Sequence, residues 1–258
     1  MKKLFLSPVV CAVAAGILGG NHASAQTLEL QLKSSNYNPT TGVWTDTSGL
    51  GNNATYSGGS TPALVSAATP NGSSAVDLTG NGSLLLTSSI APGSGYTVFA
   101  YMEPLTGAGR NALTGGSSPT ALEYDVYNNQ ADFLTEYTAD VAHGNATLSD
   151  TSFSLIDLAV SSAGSSFNLN GLSDGTGAGA TFGSPITRIG NNEGGGDGFD
   201  GQLAEIDVYS GVLNASQIAA QESLLDAEYI SPVPEPTTVA LMVGGIGALV
   251  ATRRMRRN

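Results

Sequence analysis

The segment Thr27-Leu28-Glu29-Leu30-Gln31-Leu32 alternates polar and apolar residues without a break. Only an extended strand with one buried face turns that order into three leucines on one side; a helix would scatter them around its circumference. Related short segments recur at residues 74–78, 83–87, 96–103, 121–127, 133–137, 152–160 and 202–209. Turn-forming clusters divide them, as at Pro70-Asn71-Gly72, Gly80-Asn81-Gly82 and Pro92-Gly93. Many short strands punctuated by glycine turns predict an all-β, antiparallel sandwich or barrel. One helix interrupts the pattern. Asn214 and Gln217 have capping-box spacing, and Ile218, Leu224, Leu225 and Tyr229 are expected to share the side that packs on the sandwich. This helix should close the globular unit, with a linker beginning at Ser231-Pro232.

The two ends of the chain read as export signals. Lys2 and Lys3 precede an apolar stretch at residues 4–18, and Ala23-Ser24-Ala25 has the small-residue pattern cut by signal peptidase. Residues 1–25 are therefore expected to be a signal peptide, with Ala23 and Ala25 marking the cleavage site and Gln26 opening the mature chain. At the other end a Pro-rich linker, 231–236, leads into sixteen uncharged residues, 237–252. As a helix these would span about 24 Å against a hydrocarbon core of about 30 Å, a deficit that snorkelling arginines can offset. Arg253, Arg254, Arg256 and Arg257 follow in the tail 253–258, and such a cluster favours a cytoplasmic C-terminus.

Val233-Pro234-Glu235-Pro236, followed by the apolar segment and the terminal arginines, resembles the PEP-CTERM sorting signal of exopolysaccharide-producing Gram-negative bacteria. That resemblance implies an exosortase as processing partner, an inner-membrane intermediate held by a short transmembrane helix, and delivery to the cell surface or extracellular matrix.

Between the two ends, residues 26–230 carry three basic residues, Lys33, Arg110 and Arg188, against twenty acidic ones, a net charge of −17. Such a surface repels phosphate backbones, so nucleic acid is excluded as a partner. The sole cysteine, Cys11, lies in the signal segment, which removes disulfides, thiolate catalysis and Cys-ligated zinc from the mature chain. His143 is its only histidine, and no Gly-x-Ser-x-Gly elbow accompanies it, so a Ser-His-Asp triad is not expected.

Two stretches carry a second resemblance. Trp44, Asp46, Ser48-Gly49 and Asn52-Asn53-Ala54 are similar to the opening segment of the laminin-G-like branch of the concanavalin A-like lectin/glucanase superfamily. Residues 199–209, with Gly201 and Ala204-Glu205 at their centre, are similar to its closing strand. The resemblance implies a jelly-roll β-sandwich over residues 26–230.

The glucanase branch raises the question of catalysis. Glu123 and Asp125 are two apart on one strand, where side chains share a face about 6.6–6.8 Å apart. Related glucanases carry a further Glu two or three positions on, where this chain has Tyr127 and Asn128. Without it the leaving group has no matched proton donor. No catalytic residues are therefore assigned, and the leading expectation is a non-enzymatic surface or matrix protein that binds extracellular polysaccharide or serves a structural role. The alternative is a divergent glycoside hydrolase on the same fold. Trp44, the only tryptophan, is read as a packing anchor ahead of a sugar-stacking platform. No metal residues or cofactor are assigned. Calcium or another cation is admitted by the acidic surface, with the loop 191–200 the best calcium candidate, although a plain glycine loop accounts for that segment.

Overall fold

A computed structural model describes residues 26–58, 61–79, 82–91, 93–105, 110–116, 121–127, 130–136, 139–180, 182–192 and 198–231. At Arg110, Asn111, Glu123, Asp125, Tyr127 and within 130–143 the description covers the backbone and leaves the side chains aside. The strands run in chain order: β1 (Thr27–Asn38), β2 (Val43–Asp46), β3 (Ala54–Ser57), β4 (Ala63–Val65), β5 (Ala75–Asp77), β6 (Ser83–Ile90) and β7 (Gly95–Pro104). Then come β8 (Arg110–Ala112), β9 (Thr114–Gly116), β10 (Glu123–Tyr127), β11 (Gln130–Glu136) and β12 (Ala139–His143). The last five are β13 (Ser154–Ser161), β14 (Gly164–Leu169), β15 (Leu172–Gly177), β16 (Ile186–Ile189) and β17 (Gly201–Ser210), before helix α1 (Ala215–Tyr229).

Neighbouring strands run in the order β15-β14-β13-β7-β17-β1-β2-β3-β6-β16-β9, with β5 joining β17 and β4, and a second sheet ordered β12-β11-β10-β8. Every pairing between these strands is antiparallel. The long sheet makes a sandwich because both of its halves bury side chains in one core. Leu30 and Leu32 of β1, Val98 and Ala100 of β7, and Ile206 and Val208 of β17 meet Trp44, Ala54, Leu84, Ile186 and Ile189 from the other half. Strand β1 joins the two layers. Its first half pairs with β17, its second half with β2, and the register breaks between Leu32 and Tyr37 where it crosses over. The alternation at residues 27–32 thus places Leu30 and Leu32 in the core.

Several strands escape the sequence reading. β14 and β15 form a hairpin through Asn170 (φ 52°) and Gly171 (φ 75°), two left-handed residues that match the twist of the flanking strands. An Asn-Gly pair between alternating segments is the sequence signal that identifies it. β2, β3 and β16 have only four residues each, too few to display a period of two.

The helix falls where the sequence placed it. Asn214 accepts hydrogen bonds from the backbone amides of Ser216 and Gln217, and Gln217 Oε1 accepts one from the Asn214 amide at 2.9 Å, completing the capping box. The packing side needs one correction. Ile218, Leu225 and Tyr229 are buried, but Leu224 is 64 % exposed. At about 100° per residue, Gln221 and Glu222 flank the arc defined by Ile218, Leu225 and Tyr229, within about 40° of its edges, whereas Leu224 lies about 100° away. Polar residues hold those two positions because the sheet beneath them is polar.

Among the described residues no helix is long and apolar enough to cross a membrane, a statement that does not bear on β-barrels. The expected signal peptide, sorting motif, transmembrane helix and arginine tail lie outside the described residues.

Candidate functional site

The opening segment 44–54 is a clasp between strands. Trp44 is fully buried, packs edge-on against Tyr37 with ring centroids 5.6 Å apart, and donates its indole N–H to the Lys33 carbonyl at 2.6 Å. It is a packing anchor with no face open to a sugar. Asp46 is the centre of the clasp. Its Oδ1 accepts the Gln31 and Ser48 amides and its Oδ2 accepts the Ser48 hydroxyl and the Asn52 amide, all at 2.7–2.9 Å. Burial alone would raise the carboxyl, but these donors outweigh it and hold Asp46 below the usual carboxylate range. Asn53 Oδ1 takes the Asp46 amide at 2.9 Å, and Asn52 Nδ2 donates to the Glu29 carbonyl at 2.7 Å.

The closing segment is equally structural. A methyl group on Gly201 would sit 2.5 Å from the Glu103 carbonyl oxygen and 2.8 Å from the Phe199 ring, so the close approach of β17 to β7 requires glycine there. A bulge follows, with Leu203 opposite Met102 and Glu205 opposite Tyr101, leaving Ala204 as the extra residue. Beyond the bulge, Ile206 and Val208 point into the sandwich core. Glu205 and Asp207 point to the other face, beneath α1.

Under the helix lies a polar seam. Tyr229 donates its hydroxyl to Glu205 Oε2 at 2.7 Å, Gln31 donates to Glu205 Oε1 at 3.1 Å, and Gln221 donates to Asp207 Oδ2 at 2.6 Å. Lys33 Nζ lies 3.6 Å from Glu205 and 2.5 Å from Glu228. Further along, Asn168 Nδ2 donates to Asp157 Oδ1 at 3.1 Å and to Glu222 Oε1 at 3.3 Å. Tyr101 stacks between Phe153 and Tyr229, at centroid distances of 5.3 and 5.1 Å. A cleft of about 310 Å³ opens where the helix meets the β14–β15 turn, walled by Leu155, Asn170, Ala219, Glu222, Ser223 and Asp226.

A family model described as the concanavalin A-like lectin/glucanases superfamily, of the laminin-G type, matches residues 70–219, more than half of the chain. The chain belongs to that superfamily. Solved structures share the superfamily fold at low identity. Domain 4 of AbnA, an extracellular arabinanase from Geobacillus stearothermophilus, solved with arabinotriose, has a TM-score of 0.59 at 17% identity, covering 76% of this chain and 98% of that one. A Trypanosoma rangeli sialidase mutant with trans-sialidase activity gives 0.55 at 17% identity over 77% of this chain and 33% of that one. A botulinum neurotoxin type C structure, whose cell entry depends on two ganglioside molecules, gives 0.52 at 12% identity over 77% and 51%. No curated protein matches the chain in sequence. The superfamily match takes in the closing segment and ends within α1; the Asp46 clasp lies upstream of it.

The remaining sequence candidates divide by placement. Glu123 and Asp125 lie on β10, where Asp125 is in register with Asp132 and Ala112; their side chains are outside the described structure. In the loop 191–200, Asn191, Asn192 and Phe199 are buried, and the Phe199 amide donates to the Gly190 carbonyl at 2.9 Å, while 193–197 lie outside the described residues. Among the described residues no group of three or more His, Cys, Asp or Glu is arranged to hold a metal ion. Among the described tyrosines, Tyr37, Tyr96, Tyr101, Tyr124 and Tyr229 are buried and Tyr56 and Tyr209 partly buried. The α1 cleft, walled by groups from β13, the β14–β15 turn and the helix, was missed in the sequence because no single motif spans it.

Proposed function

We propose that this protein is an exported, non-enzymatic polysaccharide-binding protein, sorted to the cell surface or extracellular matrix through its C-terminal signal. The observation that carries the sorting half is the order of the tail: Val233-Pro234-Glu235-Pro236, then 237–252 without a charge, then Arg253, Arg254, Arg256 and Arg257. This follows directly on the helix that closes the sandwich. An exosortase would read the Pro-Glu-Pro, after signal peptidase has cut behind Ala25.

The binding half rests on the α1 cleft. Its carboxylates, Asn170 and Ser223 can meet sugar hydroxyls, while Leu155 and Ala219 offer aliphatic walls to a ring face, in a volume at the lower end for ligand sites. The arabinotriose complex of AbnA domain 4 supports the same class of ligand, since nearly all of that domain overlays on this chain. The non-enzymatic part of the reading rests on the missing acid/base. The strand that carries Glu123 and Asp125 has Tyr127 and Asn128 where related glucanases carry a further Glu, so the pair lacks a matched proton donor.

Two measurements test the halves separately. Replacing Pro234, Glu235 and Pro236 by alanine should leave full-length protein in the inner membrane, and unchanged surface release would overturn the sorting half. On a glycan array run with and without calcium, the wild type should retain a polysaccharide that Ser223→Trp, which fills the exposed rim of the cleft, binds at least tenfold more weakly. Retention of no glycan, or equal retention by Ser223→Trp, would overturn the cleft as the binding site.

A further inference from the structure

The seam under α1 has too many acids for one cation. Asp157 of β13 and Glu205 and Asp207 of β17 face the helix from the sheet, and Glu222 and Glu228 face them from the helix. Lys33 of β1 is the ammonium among them, and it touches Glu205 and Glu228. The other polar neighbours are the phenols Tyr101, Tyr209 and Tyr229, the Asp226 carboxylate of α1 beside Glu222 and Tyr101, and the amides of Gln31, Gln221 and Asn168. Asp157 and Asp207 are buried almost completely, and one oxygen of each, Asp157 Oδ2 and Asp207 Oδ1, has no hydrogen-bond partner. An ionised carboxylate in that position is costly, and a second one alongside it adds repulsion.

We propose that protons latch α1 to the sandwich: seating the helix requires one protonated carboxyl in the Asp157–Glu222 pair and one in the Glu205–Asp207 pair, and losing those protons unseats it. Asp157, Glu205 and Asp207 shift in the direction this needs. Burial, reinforced by the Glu222 carboxyl, pushes Asp157 up to about 8. Burial and then Glu205 push Asp207 well above the usual range, and burial raises Glu205 against the opposing pull of Tyr229 and Lys33. A carboxyl whose seated value is raised binds more protons seated than released. Seating is therefore strongest below the free carboxylate value of about 4 and weakens as pH rises toward the seated value, by about tenfold per pH unit for each proton. Because α1 leads directly to Ser231, its release would lengthen the tether between the sandwich and the segment beyond. The latch does not depend on glycan binding and is read without a ligand.

Hydrogen exchange of the full-length chain tests it, with protection corrected for intrinsic exchange rates. Between pH 5 and 8, protection of residues 215–229 should fall by about tenfold to a hundredfold per pH unit while the central residues of β7 hold theirs. Asp157→Asn should reduce that dependence by one factor of ten per pH unit, and Asp157→Asn combined with Asp207→Asn should flatten it. A pH-independent wild-type helix, or a double variant with the wild-type dependence, would overturn the latch. Should the asparagine variants fail to fold, carboxyl carbon NMR of the wild type decides: Asp157 protonated at pH 6 supports the latch, and Asp157 ionised at pH 5 overturns it.

Discussion

Asp46→Ala should destabilise the sandwich by about 3–5 kcal/mol, the range for removing a buried hub that several donors share. The substitution orphans the amides of Gln31, Ser48 and Asn52 at once, and those amides hold the β2–β3 connection against β1. Asp46→Asn isolates the charge. Its remaining oxygen can still accept two donors, but its amide nitrogen faces the Asn52 N–H and cannot accept, so about half of the loss is expected. Chemical denaturation followed by the fluorescence of Trp44, the only tryptophan, measures both variants. A change below about 1 kcal/mol in Asp46→Ala would mean that the clasp contributes little. The wild type should also show the matching pH dependence. Asp46 is held below its free value, so its contribution is complete above about 4 and disappears as pH falls through the seated value, and Asp46→Asn should lack that acid limb.

Tyr229→Ala should cost a similar amount, about 3–5 kcal/mol, for different reasons. It removes the outer ring of the Phe153–Tyr101–Tyr229 stack and takes away the hydroxyl that donates to the buried Glu205. Tyr229→Phe keeps the stack and loses only the hydroxyl, so about 1–2 kcal/mol is expected. Thermal unfolding of the two variants beside the wild type separates ring from hydroxyl. Equal losses would show that the hydrogen bond to Glu205, and not the stacking, secures the helix.

The fold was legible in the sequence wherever a strand was long and one-sided. Residues 27–32 alternate because one face meets the sandwich core, residues 205–208 alternate between that core and the side beneath α1, and Asn214 with Gln217 announces the helix start through local chemistry alone. Where the sequence was silent, the missing signal was tertiary. A four-residue strand such as β3 has room for two alternations. Leu224 was placed on the packing side because an apolar residue at near-helical spacing looks buried; the correction came from Asn168 and Asp207, fifty-six and seventeen positions upstream, which bond Glu222 and Gln221 on that side instead. Trp44 and Asp46 were legible as a motif, and the structure gives them a mechanical role. The α1 cleft was illegible because its walls come from separate elements that only folding brings together.

The position of β17 between β1 and β7 also dictates when this molecule can fold. The contact of Gln31 with Glu205 spans 174 residues, and that of Glu29 with Ser210 spans 181. As the chain is made from its N-terminus, β1 emerges first and must wait, one edge unsatisfied, until residues 201–210 follow. Loops that long close slowly, and pairings that distant place such a chain among the slow folders. Assembly of the sandwich is therefore a late event in the making of the chain, governed by the arrival of a single strand, and a chain cut before Gly201 leaves β1 and β7 without the partner that joins them.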